Sequence, residues 1–387
     1  MHFSKLLTLS AATLALAHPG EKHDPKALKR EIQARDALAI RSRRALEACA
    51  NTDYAKQLQK RNVARRAQTV RKLREARGIN ANSKNLRRSS ADLEQWESVN
   101  HNMTGLTQDS NSALFAGNGS AILAPTITDG PYYVWGEIQR SDVIEDEHCD
   151  GVELNLEIQY IDVETCRAIP GAYVDIWNAN ATGVYSGIST SGNYAANGWD
   201  STFLRGIQET DNEGVVNFRT IFPGHYDGRA IHTHLLTHLN ASVHDNNSTL
   251  VVGSGSVAHI GQLFWNEDLR SAVEATSPYS QNTQEITSNA DDMWSVLQAT
   301  SAFDPFPEYV YLGEDIDDGL FAWKVIGINA SADYTDNSYY SIAAYYDENG
   351  GHQNSDSSAF GGAGGGDGGM PSGSPSGAMP SGTGAPN

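Results

Sequence analysis

The sequence has little cysteine and no long apolar run beyond its N-terminal end. Three cysteines in 387 residues exclude the small, disulfide-rich class of secreted protein. Glycine, at 36 residues, is far below the one-third that collagen requires. No later segment offers the 18 apolar residues of a membrane span, so we expect no membrane partner. The chain has no terminal apolar stretch, which argues against a lipid anchor.

Positive charge is scarce outside one segment. The chain has 28 Lys and Arg against 47 Asp and Glu, a net charge of −19. His18 to Ser90 contains 20 basic and 7 acidic residues, whereas residues 91–387 contain 7 and 40. A basic front is therefore joined to a strongly acidic body. Because such a body repels nucleic acid, we expect no nucleic-acid partner.

The start of the chain has the pattern of a secretory signal peptide. Lys5 precedes a mostly apolar run from Leu6 to Leu16, and the run ends in a small-x-small cleavage pattern at Ala15 to Ala17. We therefore predict a signal peptide at 1–17 and a secreted, extracellular glycoprotein. Glycosylation sequons lie at Asn102, Asn118, Asn180, Asn240, Asn246, Asn247 and Asn329.

Composition divides the remaining chain into three segments. Residues 18–95 are rich in the helix formers Ala, Leu, Arg, Lys and Gln, which predicts a basic helical pro-region or extension. Residues 96–348 contain the strand-like patterns and form the predicted β-sandwich domain. Residues 349–387 are rich in Gly, Ser and Pro, and we expect a disordered tail because this composition buries no core.

The basic front has three interpretations. It is a propeptide cut at dibasic pairs such as Arg43-Arg44, a basic arm that binds polyanions or a cell wall, or a helical extension that packs on the acidic body. All three agree with its composition, and they differ in whether the segment stays attached.

Alternating patterns predict a fold made mostly of strands. Residues 152–160 alternate apolar side chains with Glu153, Asn155 and Glu157, as in a strand with one face in solvent. Many short strands favour an all-β, antiparallel β-sandwich or barrel with the N-terminal helical extension attached. The other predicted strands are 172–177, 215–221, 231–238, 250–252, 309–312, 321–329 and 339–344, and the predicted helices are 267–275 and 291–298.

The cysteines suggest one disulfide. Cys149 and Cys166 flank the strand predicted at 152–160, and we expect them to pair in an oxidising compartment. Cys49 is then left over in the basic front, where it is free, intermolecular or removed.

A His-x-His pair, His232 and His234, is the main candidate for chemistry. Residues two apart on a strand share a face, so the two imidazoles converge as a metal requires. Tyr226 and Arg229 lie on the loop directly before this strand, and Tyr185 follows another strand. Two tyrosines, two histidines and one arginine can therefore meet at one edge of the fold.

The donor set favours a trivalent metal. Tyrosine has a pKa near 10 and becomes a ligand only when a strong Lewis acid removes its proton. Two tyrosinates and a hydroxide carry three negative charges, which match non-haem Fe(III) better than Zn(II) or Cu(II). His238 has the same strand parity as His232 and His234, so a three-histidine zinc site is the alternative.

Two long motifs resemble those of the intradiol ring-cleavage dioxygenases. They are GAYVDIWNANATGVYS at 171–186 and FRTIFPGHY at 218–226, the second followed by RAIHTH at 229–234. The segments GPYY at 130–133 and RSD at 140–142 also fit. The resemblance runs from about Leu123 to Leu236 and is greatest to the protocatechuate 3,4-dioxygenase-like branch of the secreted fungal type.

This resemblance implies a non-haem Fe(III) enzyme. The substrates would be a small aromatic diol of the catechol type and O2, and the product a cis,cis-muconate-type diacid, as in aromatic compound catabolism. The implied iron ligands are Tyr185, Tyr226, His232 and His234.

The resemblance also implies roles beyond ligation. Tyr226 would be the tyrosinate that leaves the metal when substrate binds, and Arg229 would stabilise the carbanionic substrate. Tyr132 and Tyr133 fall where the family lines its substrate pocket.

Two positions depart from the family pattern. Asn178 stands where many members have His, and Ala230 stands where Pro commonly follows the arginine. Neither is a ligand, so both bear on pocket shape and substrate choice. The competing function is a secreted β-sandwich binding protein with an inert or absent metal site, since a fold alone does not imply an activity.

The fate of the basic front is testable by intact-mass spectrometry of the secreted protein. An N terminus at His18 eliminates the propeptide interpretation, because nothing beyond the signal peptide is then removed. An N terminus after a dibasic pair establishes it.

Overall fold

The computed structural model describes residues 25–79, 99–104, 124, 126–145, 150–189, 193–244, 254–300, 303–337, 340–347 and 349–354. The predicted signal peptide, the predicted strand at 250–252 and residues 355–387 of the predicted tail lie outside these ranges. The segment assigned to the tail begins with a strand instead, at Gly350–Gln353.

Four α-helices lie within the described ranges: α1 Pro25–Cys49, α2 Asp53–Ala76, α3 Glu267–Glu274 and α4 Met293–Gln298. Helix α2 begins after Thr52, whose side-chain oxygen accepts a hydrogen bond from the Ala55 amide. Helices α3 and α4 confirm the two helices predicted from the pattern. In the part of the chain described, no helix is both long enough and apolar enough to cross a membrane.

Eleven strands lie in the described part of the body, and six of them coincide with predicted ones. The strand predicted at 339–344 meets an observed strand only at Ala344. The strands are β1 Val134–Trp135, β2 Glu153–Asp162, β3 Tyr173–Trp177, β4 Arg205–Glu209, β5 Val215–Ile221, β6 His232–Leu239, β7 Ser256–Phe264, β8 Glu308–Tyr311, β9 Leu320–Ile328, β10 Ala344–Asp347 and β11 Gly350–Gln353.

The strands form three sheets, in the orders β5-β2-β9-β8, β4-β3-β6-β7 and β1-β10-β11. A sheet-rich body is therefore confirmed, and the four helices fall where helices were predicted, so the all-β class as such is not confirmed. The expectation of antiparallel pairing is wrong for two pairs, since β2 pairs with β9, and β1 with β10, in parallel. The described strands form no closed barrel, and the sandwich arrangement stays a prediction.

The largest hydrophobic cluster joins the two four-stranded sheets and both N-terminal helices. It contains Leu156 of β2, Ile176 of β3 and Leu235 of β6. Leu46 of α1 and Leu58 of α2 belong to the same cluster. The helical extension therefore shares the core of the body.

Helix α2 covers the outer face of the β2-containing sheet. Its buried residues are spaced four apart and so form one stripe: Leu58, Asn62, Arg66 and Val70. Under this stripe, the Asn62 and Gln159 side-chain amides exchange two hydrogen bonds of 2.6 and 3.1 Å. The β2 face that alternation predicts to be in solvent is therefore buried at Glu157 and Gln159, because a distant helix lies on it.

The helix is held on the sheet by opposite charges. Glu157 is fully buried and accepts from Arg66 at 2.6 Å and from Arg65 at 3.1 Å. Glu213 pairs with Arg61 and Arg65, and Arg77 pairs with Glu153. For α2, these pairs support the interpretation of an extension that packs on the acidic body by charge complementarity.

The disulfide prediction is wrong. Cys166 is bonded to Cys49, the last residue of α1, with a Cα–Cα distance of 5.7 Å. Strand β2 lies between Cys149 and Cys166 in sequence, and ten extended residues place its ends about 30 Å apart. Disulfide Cα atoms must approach within about 7 Å. The bond instead ties the extension to the body, while Cys149 lies outside the described residues.

The buried charge cluster predicts a stability effect. Replacing Glu157 with Gln should lower the free energy of unfolding by about 3 kcal/mol, because it leaves the buried Arg66 without its counter-charge. Urea denaturation measures this. The matched control is Arg71→Gln, whose exposed pair with Glu75 should change stability by less than about 0.5 kcal/mol.

The same cluster predicts a pH effect. Burial alone would raise the pKa of Glu157, but Arg66 and Arg65 outweigh burial and hold the pKa below its ordinary 4.5. The unfolded chain then binds more protons, so this stabilisation is complete above pH 4.5 and is lost as the pH falls below it. An equal loss of stability on acidification in wild type and Glu157→Gln would contradict this account.

The disulfide is testable by non-reducing peptide mapping. We expect one linked pair containing Cys49 and Cys166, with Cys149 as the remaining thiol. Because the bond closes a separation of 117 residues, Cys49→Ser should cost about 4 kcal/mol of stability, most of it from greater freedom of the unfolded chain. Cys149→Ser is the matched control, and a Cys149–Cys166 peptide would refute the assignment.

Candidate metal centre

Strand β6 aims two imidazoles at one point. His232 and His234 are both buried, and their Nε2 atoms lie 2.8 Å apart. The Nδ1 of His232 is 2.6 Å from the carbonyl oxygen of Ala230, so Nδ1 carries the proton and donates it. The Nε2 lone pair of His232 is therefore free to bind a metal.

Cross-strand neighbours hold these rings in place. Trp177 of β3 lies directly opposite His234, and the two rings stack with centroids 4.6 Å apart and planes within 4°. On the other side, β7 places Gln262 opposite His234 and Phe264 opposite His232. The ring of His234 is thus fixed by packing before any metal binds.

Tyr226 approaches the same point from the loop before β6. Its hydroxyl oxygen is 3.4 Å from the Nε2 of His232. The chain then reverses in a tight turn with Gly228 at φ +81°, and the Arg229 amide donates to the Tyr226 carbonyl at 3.4 Å. This turn brings Tyr226 and Arg229 to the same side of the site.

Tyr185 completes the set from the loop after β3. Its ring centroid lies 5.5 Å from that of Tyr226 and 6.2 Å from that of His234. Two glycines permit this approach, because a Cβ on Gly183 would collide with the His225 carbonyl, and one on Gly224 with the Ala181 carbonyl. The buried Tyr185 hydroxyl makes no well-formed hydrogen bond within the described chain, although the Tyr226 phenol is near enough to act on its pKa.

Burial keeps all four candidate ligands uncharged. It raises the pKa of both Tyr185 and Tyr226 above 10, although Arg229 opposes this at each. Burial also lowers the pKa of His232 and His234 well below 6.5, and the charge of Arg229 lowers it further. The imidazoles are therefore neutral ligands, and the phenols ionise only beside a strong Lewis acid.

These residues fit a ferric ion. Two phenol oxygens and two imidazole nitrogens converge in a buried site, one histidine has its tautomer fixed, and one phenol oxygen lacks a well-formed hydrogen bond in the described chain. Hard phenolate oxygen with neutral imidazole is a donor set that suits Fe(III).

The three-histidine zinc alternative does not hold. The Nε2 of His238 lies 3.0 Å from Asp175 and 3.2 Å from the Tyr133 hydroxyl, and burial lowers the pKa of His238 to about 3. Throughout the described ranges, no group of three or more His, Cys, Asp and Glu side chains could hold a metal.

Of the two tyrosines predicted to line the pocket, the structure brings only Tyr132 to the site. Its ring lies 4.6 Å from that of Tyr185 and 6.3 Å from that of Tyr226. Tyr133 is fully buried on the other side of the chain, where its hydroxyl donates to Asp175 at 3.2 Å and its ring packs on Trp177. The pocket assignment of Tyr133 is therefore not supported, because consecutive residues diverge as the turn ends.

A buried ionic network supports the loop of Tyr185. Arg205 donates to the Ser186 carbonyl oxygen at 2.7 and 3.1 Å and to Glu137 at 3.1 Å. Burial raises the pKa of Glu137 well above 4.5 and that of the neighbouring Asp175 to about 7. The sequence offered no signal for this network, because its members lie on separate strands and loops.

Arg229 is fixed by two residues that sequence reasoning also missed. Its Nε donates to Asp292 at 2.9 Å, and its Nη2 donates to Gln262 at 2.5 Å. Burial alone would lower the pKa of Arg229, but Asp292, Tyr226 and Tyr185 together outweigh burial and the pKa is raised. Arg229 is therefore a permanent cation beside the four ligands.

Comparison with known proteins agrees with this geometry. A family model described as a dioxygenase matches residues 128–272, which include all four candidate ligands and Arg229. An intradiol ring-cleavage dioxygenase from Tetranychus urticae is 31% identical over 55% of this chain and 96% of its own, with a TM-score of 0.44. No curated protein gives a significant match.

Two solved structures of lower sequence identity are also described as ring dioxygenases. A catechol 1,2-dioxygenase from Acinetobacter sp. ADP1 is 20% identical over 57% of this chain and 65% of its own, with a TM-score of 0.33. A hydroxyquinol 1,2-dioxygenase from Pseudomonas putida DLL-E4 is 17% identical over 58% and 72%, with a TM-score of 0.34.

The chain belongs to the intradiol ring-cleavage dioxygenases. Members of this family generally use non-haem Fe(III). Membership supports a ring-cleaving dioxygenase activity in general, with a catechol-type substrate and O2.

Proposed function

We propose that this protein is a secreted, ferric, non-haem dioxygenase that opens the ring of a catechol-type diol with O2 to give a cis,cis-muconate-type diacid. The observation that carries the proposal is the convergence of Tyr185, Tyr226, His232 and His234 in one buried site. Family membership supports the same chemistry.

The charges of the site match the proposed reactants. A ferric ion bound there supplies the Lewis acidity that draws electron density from the diol and so prepares its ring for O2. With Tyr185 ionised and the diol bound as a dianion, three negative charges balance the trivalent ion. The two imidazoles are neutral and leave this balance unchanged.

Tyr226 is the proposed proton acceptor. Burial raises the pKa of its phenol well above 10, so its phenolate is a stronger base than that of an exposed tyrosine. As Tyr226 turns away from the ligand set, its oxygen would take one phenolic proton of the diol, and the hydroxide that completes the charge of the resting site would take the other. Tyr185 has a different part, because its hydroxyl has no well-formed hydrogen bond in the described chain that would draw it away, and it stays in place.

Arg229 is the proposed electrostatic stabiliser. Its positive charge lowers the pKa of Tyr185, Tyr226 and His232, so its field reaches the whole site. Since the site is buried, this charge is weakly screened and stabilises the negative charge that develops on the substrate ring. The ring of Tyr132 forms an aromatic wall beside Tyr185, where a flat diol can pack.

The disulfide supports secretion. Structural disulfides persist mainly in oxidising compartments, and the Cys49–Cys166 bond closes a large loop of the chain. The signal-like pattern at residues 1–17 agrees with this destination.

The metal assignment predicts the behaviour of a single-atom substitution. Purified protein loaded with Fe(III) should have a broad visible tyrosinate-to-metal absorption band and should consume O2 with catechol. Tyr185→Phe should lose most of the band and more than about 100-fold of the activity, since even outer partners of metal ligands contribute 10- to 100-fold. Absorbance, bound iron and oxygen uptake measure this.

Tyr194→Phe is the matched control, because Tyr194 is exposed and pairs with Tyr185 only through the backbone. It should keep both band and activity. A Tyr185→Phe protein that keeps both would show that the ligand is a different tyrosine. A colourless wild type that stays inactive with added iron would contradict the dioxygenase proposal and favour the alternative of a binding protein with an inert or absent metal site.

A further inference from the structure

The carboxylate of Asp292 is saturated with hydrogen bonds that tie Arg229 to helix α4. Its Oδ2 accepts from the Nε of Arg229 at 2.9 Å and from the amide of Ala230 at 2.8 Å. Its Oδ1 accepts from the amides of Trp294 at 2.8 Å and Ser295 at 3.4 Å, which caps α4. One carboxylate therefore fixes two parts of the chain that are distant in sequence.

These contacts hold two of the three nitrogens of the guanidinium. Asp292 holds Nε and Gln262 holds Nη2 at 2.5 Å, and neither of these two partners engages Nη1. The charge of Arg229 acts on Tyr185, Tyr226 and His232. Asp292 and Gln262 therefore fix the guanidinium through Nε and Nη2 while its charge acts on the candidate ligands.

Asp292 is also the buried counter-charge of Arg229. The side chains of Arg229 and Asp292 are buried, with exposed fractions of 6% and 1%. A buried cation without a partner either moves towards water or draws water in. Pairing removes both alternatives and so favours one position of the guanidinium.

We propose that Asp292 is a positioning residue for the ring-cleavage reaction, which aims Arg229 at the substrate. This inference rests on the proposed function. Asp292 lies outside residues 128–272, the range that matches the family, so the start of helix α4 supplies a part of the active site that the matched segment lacks.

The Asp292→Ser variant separates the two duties of this carboxylate. Serine is a good helix N-cap and keeps the bond to the start of α4. Its shorter side chain does not reach Arg229. We expect the resting visible band to be retained, because Asp292 touches none of the four ligands. We expect kcat to fall roughly 10- to 100-fold, since a misplaced catalytic group loses about this much.

A binding measurement that does not depend on turnover accompanies the rate. Catechol added without O2 should change the visible band of wild type and Asp292→Ser at concentrations that agree within about 3-fold, because the metal and not Arg229 binds the diol. Asp291→Asn is the matched control, since the exposed neighbour Asp291 bonds only locally to Ser288. It should have wild-type kcat and band.

A double-mutant cycle tests whether Asp292 acts through Arg229. In an Arg229→Gln background, Asp292→Ser should lower kcat by less than about 2-fold more, because the interaction it supports is already gone. Additive losses would overturn the proposal, as would an Asp292→Ser enzyme with wild-type kcat or one that has lost its band. Should Asp292→Ser fail to fold, Asp292→Asn replaces it in the same cycle. Both oxygens of Asp292 accept from N–H groups, so the amide nitrogen of Asn would face a donor and lose that hydrogen bond.

The outcomes also separate this inference from the proposed function. A wild type without band and activity overturns both. A coloured, active wild type with an unaffected Asp292→Ser variant overturns only the role of Asp292.

Discussion

The register of β6 between β3 and β7 is the constraint on which the site depends. It sets His234 opposite Trp177 on one side and Gln262 on the other, and His232 opposite Phe264. Because strand side chains alternate, a slip of one residue would turn both imidazoles to the opposite face. Two paired neighbours and a stacked indole prevent this slip, so the positions of the two imidazoles are defined by backbone hydrogen bonds before the loops add their tyrosines.

The parts of the site that follow from a local period could be predicted from sequence. Residues two apart on a strand share a face, and this rule placed His232 and His234 correctly. Tyr185 and Tyr226 lie on loops without a period, so their places beside two strands indicated only that they could meet, and their role as ligands followed from resemblance to a family. Tyr132 and Tyr133 diverge because a short turn ends between them, and no simple periodicity holds there.

The contacts that escaped prediction join residues distant in sequence. The Cys49–Cys166 bond closes 117 residues, and the nearer partner was the wrong one because an extended strand intervenes. Asp292 meets Arg229 across a long stretch of chain, and its own neighbourhood indicates only a helix start. Glu157 belongs to an alternating strand that predicts a solvated carboxylate, yet helix α2 covers it.

Charge was the one feature of the sequence that indicated a long-range contact. The basic front and the acidic body neutralise each other where they meet. Composition indicated the sign of this interaction, while the particular pairs depend on how the helix crosses the sheet.

The helices outside the family-matched segment determine how much of the chain is needed for a stable fold. The segment recognisable by family starts at residue 128 and stops at 272. A fragment cut at those limits would bare the buried Glu157 and Gln159 on one face and strip Arg229 of its counter-ion on another. The smallest part of this chain that we expect to fold on its own is therefore much larger than the segment that matches the family. The helices on either side of that segment are needed to cover its buried polar residues and to pair its buried arginine.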